Sequence, residues 1–419
     1  MEQTPKANRV HIGFFGRCNA GKSTLINMLT DQSVSLVSDV AGTTTDPVSK
    51  SMEILPLGPV VITDTAGIDD TTELGALRME KTEEVVKKIN LAVYVLRTDE
   101  EPTSDDMHWL GLLKQNNVPI ALFINEINTD NTDNTDNRDK VESNTSDYIK
   151  SHKGLGDLAT VIGSADFTSN VKRLELLDLL GGLTPLDVEG EQTLLQGLVE
   201  EGDAIILVCP IDSAAPKGRL ILPQVQTIRE ILDYKGLALV CQTEELPSMI
   251  NSLTHPPKMV ICDSQAFDRV DELTPDTIPL TSFSILMARF KGKLQDLVAG
   301  VNAIKNLKPG SKVLISEGCT HRRQCDDIGT VKIPKLLKKQ GHTDLQLEFT
   351  SGGAFPKDVS QYDLIIHCGA CMLTRREVLR RIECAVVQGT PIVNYGVLIA
   401  ALHGILERAI SPFIDEIKG

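Results

Sequence analysis

The octapeptide Gly16-Arg17-Cys18-Asn19-Ala20-Gly21-Lys22-Ser23 constrains the fold of this chain more than any other segment. It fits the pattern G-x-x-x-x-G-K-[ST], follows the apolar run Val10–Phe15 and opens a helix at Lys22. Strand, glycine loop and helix in that order form a cradle for phosphate. The glycines let backbone N–H groups close round the phosphates, and the helix N-terminus adds a favourable field. Lys22 is expected to meet the β and γ phosphates and Ser23 to hold magnesium. Gly16, Asn19, Ala20, Gly21 and Thr24 complete the nucleotide loop.

The same alternation continues down the chain. Residues 60–63 read as a buried strand ending in Asp64, and 91–96, 120–124 and 161–162 are further apolar runs of strand length. Apolar strands alternating with helices predict the α/β class, with a parallel sheet covered on both faces. A repeat of Thr-Asp-Asn over 129–137 interrupts the pattern and reads as a surface insert that buries nothing. Near Leu180, Gly181-Gly182 and Pro185 mark a boundary. A second αβ unit has strands at 204–209, 237–241 and 258–262 and a helix at 222–234. A third has strands at 312–316, 364–366 and 391–393 and helices at 331–340 and 374–388. With 419 residues the chain is too long for one ordinary core. The expected organisation is 1–175, 180–270 and 275–419.

Hydrophobic residues make up 41% of the chain, as in a globular protein, and the net charge is −15. That balance argues against non-specific nucleic-acid or anionic-membrane binding as the main task. No apolar run approaches the roughly 20 residues of a membrane span. Residues 1–9 have no secretory or transit character, so a cytoplasmic location is expected. Of nine cysteines, Cys18, Cys209, Cys241, Cys262 and Cys384 sit in or beside apolar segments and read as small buried hydrophobes in a reducing compartment.

The other cysteines are grouped. Cys319-Thr320-His321 is followed at a distance by His367-Cys368-Gly369-Ala370-Cys371. The pair Cys368 and Cys371 presents two thiolates from one turn, a spacing that suits zinc, an iron–sulfur cluster or a redox dithiol. Both groups follow apolar strands that a parallel sheet aligns, and ligand sites lie beyond the carboxyl ends of such strands. Cys319 is therefore expected to converge on Cys368 and Cys371, with His321 and His367 flanking them. Cys325 reads as a bystander. The spacing by itself does not choose between zinc and iron–sulfur.

Two elements follow the phosphate loop in the order of a GTPase. Gly42-Thr43-Thr44-Thr45-Asp46 resembles a first switch, in which Thr44 reaches magnesium and the γ phosphate. Asp64-Thr65-Ala66-Gly67 resembles a second switch, in which Asp64 acts on magnesium through water and the Gly67 N–H touches the γ phosphate. This region resembles the GTPases of the TrmE/Era group. The resemblance implies that Asn19 helps bind potassium. Ile68 stands where a water-orienting glutamine is found in Ras-like proteins, so slow, potassium-stimulated hydrolysis is expected. Asn125-Glu126-Ile127-Asn128 departs from the usual Asn-Lys-x-Asp: Asn128 offers one acceptor where an aspartate offers two, and Glu126 replaces the lysine over the base. Ser164-Ala165 matches the last base-contacting element, and GTP is the expected nucleotide.

Cys-x-His, a long gap and His-Cys-x-x-Cys behind a GTPase domain resemble the HydF family, the maturation GTPases and scaffolds of FeFe-hydrogenase. The likeness extends over nearly the whole chain and includes residues 210–218 and Asp326-Asp327-Ile328-Gly329. It implies a P-loop GTPase domain, a small α/β dimerisation domain and a C-terminal α/β cluster-binding domain. It also implies a 4Fe–4S cluster on Cys319, Cys368 and Cys371 with an exchangeable fourth position, for which His321 and His367 are candidate labile ligands or hydrogen-bond neighbours. The implied cargo is a di-iron precursor carrying CO and cyanide. The implied partners are a second copy of the chain, the FeFe-hydrogenase apoprotein and the radical-SAM maturases, with no nucleic acid and no membrane. Two other readings compete: a TrmE/Era-like GTPase of RNA modification or ribosome assembly with structural zinc, and a plain iron–sulfur electron carrier.

Overall fold

The computed structural model describes residues 9–30, 48–54, 57–65, 73–126, 148, 151–152, 154–168, 172–183, 193–211, 220–318 and 327–418. The chain forms two compact units, Met1–Gly190 and Glu191–Gly419.

The first unit is built on a sheet of six strands: β1 (Val10–Phe15), β2 (Val48–Ile54), β3 (Gly58–Asp64), β4 (Leu91–Arg97), β5 (Ile120–Asn125) and β6 (Val161–Ala165). Their order is β2-β3-β1-β4-β5-β6. β2 runs antiparallel to β3, and the remaining pairs are parallel. Continuous apolar strands are needed because both faces are covered. Phe14, Val93 and Val95 face one core with Leu25, Ile26 and Leu29 of the helix Lys22–Thr30 and Leu176, Leu177 and Leu180 of the helix Arg173–Leu183. Phe15, Tyr94 and Leu96 face the other, with Val85 and Val86 of the helix Glu73–Lys88 and Trp109, Leu110 and Leu113 of the helix Ser104–Gln115. The last helix starts at a capping box. Thr103 Oγ1 accepts from the Asp106 amide, while Asp106 accepts from the Thr103 amide at 2.8 Å. Such a cap contributes about 1 kcal/mol.

β1 lies between β3 and β4, so the chain leaves it in one direction and returns on the other side. The carboxyl end of β1 is thus the point where strand order reverses, and the phosphate loop begins there.

The second unit holds two parallel sheets of four strands. β7 (Ala204–Val208), β8 (Leu237–Cys241), β9 (Met259–Cys262) and β10 (Leu280–Ser282) take the order β10-β9-β7-β8. β11 (Lys312–Glu317), β12 (Gln346–Ser351), β13 (Leu364–His367) and β14 (Ile392–Asn394) take the order β12-β11-β13-β14. One continuous apolar core joins them, including Ile206, Ile261, Leu286, Leu314, Ile365 and Leu398. Between the sheets runs the helix Phe283–Lys291, buried on nearly every side, which packs on the helix Leu222–Asp233 and on the helices Arg375–Val387 and Tyr395–Leu402.

β2, β10 and β12 are additions to the sequence expectation. β2 and β12 are edge strands, and β12 has residues largely exposed, so neither carries the apolar run that marks a central strand. The helix expected over 331–340 is a π-helical turn at Ile328–Lys332 continued by Ile333–Lys339, with Pro334 in the first turn, where a missing N–H costs nothing. The Thr-Asp-Asn insert and most of the loop 210–218 lie outside the described residues.

Candidate functional site

The phosphate loop leaves β1 at Gly16, whose φ of +136° belongs to glycine; a Cβ there would stand 2.5 Å from the Val95 carbonyl oxygen. Gly21 has φ +102°, and its Cβ would stand 2.5 Å from Asn125 Nδ2. Asn19 is also left-handed at φ 59°. Lys22 is buried and its Nζ donates to the carbonyls of Gly16 and Arg17, both at 2.8 Å, so the ammonium is already folded under the loop. Ala20 is buried, whereas Ser23 and Thr24 are exposed at the open end of the first helical turn.

Four side chains outside the loop hold it: Asp106, Glu100, Arg97 and Asn125. Arg17 pairs with Asp106 and Glu100, each at 3.2 Å, and the fully buried Asp106 also accepts from the Tyr94 hydroxyl at 2.9 Å. Arg97 Nη1 donates to the Asn19 carbonyl at 3.2 Å. Asn125 Nδ2 donates to the Ala20 carbonyl at 3.2 Å, and its Oδ1 accepts from the Phe167 amide at 3.5 Å. Asn125 at the end of β5 and Ala165 at the end of β6 thus form a wall with Ser164, behind the loop. Glu126 pairs with Lys172 at 3.7 Å.

Asp64 ends β3. Burial raises its carboxyl pKa, with partial relief from the Lys22 charge, and Oδ1 is buried without a hydrogen-bond partner among the described residues. A buried acceptor beside the phosphate loop fits a divalent cation reached through water. Thr65, next in the chain, is tied to the Phe14 carbonyl through Oγ1 at 2.7 Å, which fixes where β3 ends. Thr44, Gly67, Ile68 and Asn128 lie outside the described residues.

The cysteine group lies in the second unit. β11 and β13 are adjacent and parallel, with Ser316 opposite His367. Their carboxyl ends therefore sit side by side, at the reversal point of that sheet. The Cys368 amide donates to the Ser316 carbonyl at 3.0 Å. Cys368 Sγ accepts from the Gly318 amide at 3.0 Å and the Ala370 amide at 3.3 Å. Burial pushes the Cys368 thiol up to about 11 against the pull of those amides. Burial also raises Cys371, opposed by Lys291 and by the amides of Cys371 and Met372. Ala370 takes φ 54°, and this left-handed residue bends the chain so that both thiols arise from one turn. Amides aimed at two sulfurs are a donor set that stabilises thiolate charge, and they fit a thiolate-bound metal centre. Among the described residues no three His, Cys, Asp or Glu side chains come together as a metal site; Cys319, His321 and Cys325 lie outside those residues.

His367 is buried, and both ring nitrogens are engaged. Arg381 Nη1 approaches Nε2 at 3.2 Å, and Nδ1 lies 2.9 Å from the Cys368 carbonyl. A guanidinium only donates, so Nε2 accepts and Nδ1 carries the proton. Burial first and the Arg381 charge second push His367 down to about 4. Arg381 itself is fully buried and also donates to Glu377, the Gly352 carbonyl and Ser316. Asn394 Nδ2 donates to the Cys368 carbonyl at 3.3 Å, and Ser284 Oγ donates to Asn394 Oδ1 at 3.0 Å. Arg381, Asn394 and Gly318 were not singled out from sequence. Arginines in a charged helix look like a solvated face until the fold turns one inward.

The first unit is a P-loop GTPase domain, with its loop, acidic strand end and base wall in register, and it is joined to α/β sheets that carry a buried dithiol turn. Family models match along the chain: a 50S ribosome-binding GTPase at residues 11–126, the hydrogen maturase F dimerization domain at 194–292 and the hydrogen maturase F tetramerization domain at 295–412. The chain belongs to the hydrogen maturase F family. Among curated relatives, it is 34% identical over 121 residues to the tRNA modification GTPase MnmE of Endomicrobium trichonymphae, covering 28% of this chain and 26% of that protein. It is 38% identical over 129 residues to GTPase Der of Wolinella succinogenes, covering 30% and 27%. The chain thus spans about a quarter of the length of these relatives. Era of Aquifex aeolicus bound to GDP and AlF4− aligns with a TM-score of 0.35 and 18% identity, over 55% of this chain and 91% of that one. No helix among the described residues is long and apolar enough to cross a membrane.

Proposed function

We propose that this protein is a GTP-hydrolysing scaffold that assembles the di-iron precursor of the FeFe-hydrogenase active site and delivers it to the hydrogenase apoprotein. The precursor, with its CO and cyanide ligands, is cargo received from radical-SAM maturases. The observation that carries the reading is the Cys368–Cys371 turn, with the Gly318 and Ala370 amides aimed at Cys368 Sγ, inside a segment matching a hydrogen maturase F domain. Cys368, Cys371 and Cys319 would hold a 4Fe–4S cluster. The Gly318 amide on Cys368 Sγ supports the third assignment, since Cys319 is the next residue in the chain. The cluster would supply an iron with an exchangeable position. With both nitrogens of His367 already engaged, its proposed part is hydrogen bonding, and His321 is the proposed labile ligand.

In the first unit, Lys22, Thr44, Asp64 and Gly67 are the proposed hydrolytic groups. Ser23, Thr44 and Asp64 would hold magnesium, and Asn19 would hold potassium. Asn125, Asn128, Ser164 and Ala165 would hold the guanine. Self-association is proposed through the middle segment. β8 is an edge strand, and Leu237, Val240 and the neighbouring Leu232 are 58%, 43% and 58% exposed. An apolar edge of that kind calls for a cover, here a second copy of the chain. Three domains at 1–175, 180–270 and 275–419 are proposed; the matches to 194–292 and 295–412 support two separate segments after the GTPase domain, and those matches meet at 292–295. A cytoplasmic location is proposed with them.

The test is anaerobic reconstitution. The loaded protein is expected to be brown with about four irons per chain. Zinc without iron would sink the cluster assignment and favour the RNA-modification reading. Turnover of GTP in potassium is expected to exceed that in sodium, and equal rates would remove the role given to Asn19.

A further inference from the structure

Lys291 ends the helix Phe283–Lys291 and is only 2% exposed. Its Nζ donates to the carbonyls of Ala370 at 3.3 Å, Cys371 at 3.0 Å and Leu373 at 2.7 Å. An ammonium has three N–H donors, and all three are spent on the backbone of the dithiol turn. Among the described residues no carboxylate pairs with it, while Cys371 and Cys368 are the neighbours that could take a negative charge, as thiolates bound to metal. Burying an ammonium costs several kcal/mol unless an opposite charge is close. Neutral carbonyls satisfy its hydrogen bonds but leave its net charge without a counter-ion. The groups near enough to act on that charge are the thiols of Cys371 and Cys368.

The same helix grips the turn at its other end. Ser284, beside its N-terminus, holds Asn394, which donates to the Cys368 carbonyl. Both ends of one helix therefore fix the six-residue turn Cys368–Leu373. That helix lies in the segment matching the dimerization domain, whereas the turn lies in the segment matching the tetramerization domain.

We propose that Lys291 is the charge-compensating and positioning residue of the cysteine turn, holding three of its carbonyls and setting the reduction potential of a cluster that the turn would bind. The inference rests on the cluster reading given above. Reduction would add negative charge to the cluster, and a positive charge buried against its cysteine turn would favour that state. It also makes Lys291 the link by which the self-association segment reaches the metal-binding turn.

The experiment compares wild type, Lys291→Met and Lys291→Arg after anaerobic reconstitution. Iron per chain is measured, together with the midpoint potential from a redox titration followed by electron paramagnetic resonance. Lys291→Met is expected to move the one-electron reduction equilibrium at least tenfold toward the oxidised cluster, about 59 mV more negative. Lys291→Arg is expected to keep iron and a potential near wild type. If Lys291→Met does not fold by circular dichroism and gel filtration, Lys291→Gln replaces it, with the same expected shift. An iron-loaded neutral variant with the wild-type potential overturns the proposal. So does loss of iron in the arginine variant as well as the neutral ones, which would make the residue a scaffold only. Wild-type protein that takes up no iron overturns the cluster reading itself, a result distinct from variants that fail to move the potential of a loaded wild type.

Discussion

Replacing Arg381 by Met removes a fully buried guanidinium from four partners: Glu377 at 2.8 Å, the Gly352 carbonyl at 2.6 Å, His367 Nε2 at 3.2 Å and Ser316 Oγ at 3.4 Å. Methionine is close in length and keeps the packing against Phe355, whose ring centroid lies 5.1 Å from the guanidinium carbon. The loss is therefore mostly polar. Removing one partner of a buried ion pair costs about 3–5 kcal/mol, because the other charge is stranded. Here Glu377 keeps Arg380 through two contacts of 2.8 Å, which offsets part of that cost. Against this, the Gly352 carbonyl and His367 Nε2 are left buried and unpaired, at about 1–3 kcal/mol each at most. The expected destabilisation is about 3 kcal/mol, roughly a hundredfold in the folded-to-unfolded ratio. The single tryptophan makes the assay specific. Trp109 is buried in the first unit, so its fluorescence in urea follows that unit, while far-UV circular dichroism follows both. The variant is expected to bring forward the circular dichroism transition and leave the fluorescence transition in place. A loss below about 1 kcal/mol, or a coupling energy to Glu377→Gln below about 0.5 kcal/mol, would refute the buried network as the brace of the turn.

Gly21→Ala forces a side chain into φ +102° and within 2.5 Å of Asn125 Nδ2, so affinity for a fluorescent GTP analogue is expected to fall at least tenfold; unchanged affinity would contradict the loop geometry. Cys368→Ser is expected to lose most of the bound iron on reconstitution while GTP turnover stays within twofold of wild type, since the two sites lie in separate units. Cys209 and Cys262 are buried and both thiols are raised, Cys209 to about 12, so neither is expected to react with iodoacetamide at pH 8.5 in the native protein; Cys18, expected from sequence to be buried, is exposed on the phosphate loop and is expected to react. The sign follows from linkage. Cys209 has a folded pKa above its unfolded value of about 8.5, so its contribution to stability is complete below that pH and is lost as pH rises toward about 12. Rapid native labelling of Cys209 would contradict that burial.

Most of the architecture was legible in the sequence, for one reason. Strands covered on both faces must be apolar along their whole length, and β1, β4, β5, β7 and β13 have at most one residue each that is not buried. Edge strands are freed from that demand, and β2 and β12 escaped notice accordingly. The phosphate loop was legible because its glycines and lysine are needed by type and by spacing. Asp64 was legible because it terminates an apolar strand at the right interval, and Cys368 and Cys371 because a two-residue spacing lies within one turn.

What holds those groups was hidden. Lys291, Arg381 and Asn394 are ordinary polar residues of helices and strand ends, 80, 10 and 23 positions from Cys371 in the chain, and no spacing rule connects them to it. Their roles arise only once β11 and β13 pair in parallel and the helix Phe283–Lys291 is buried between two sheets. Residue type and local order determined that this chain would cradle a phosphate and present two thiols. Only the tertiary structure decided which charges are taken out of water to face them, because desolvation is a property of the packed neighbourhood and not of the residue.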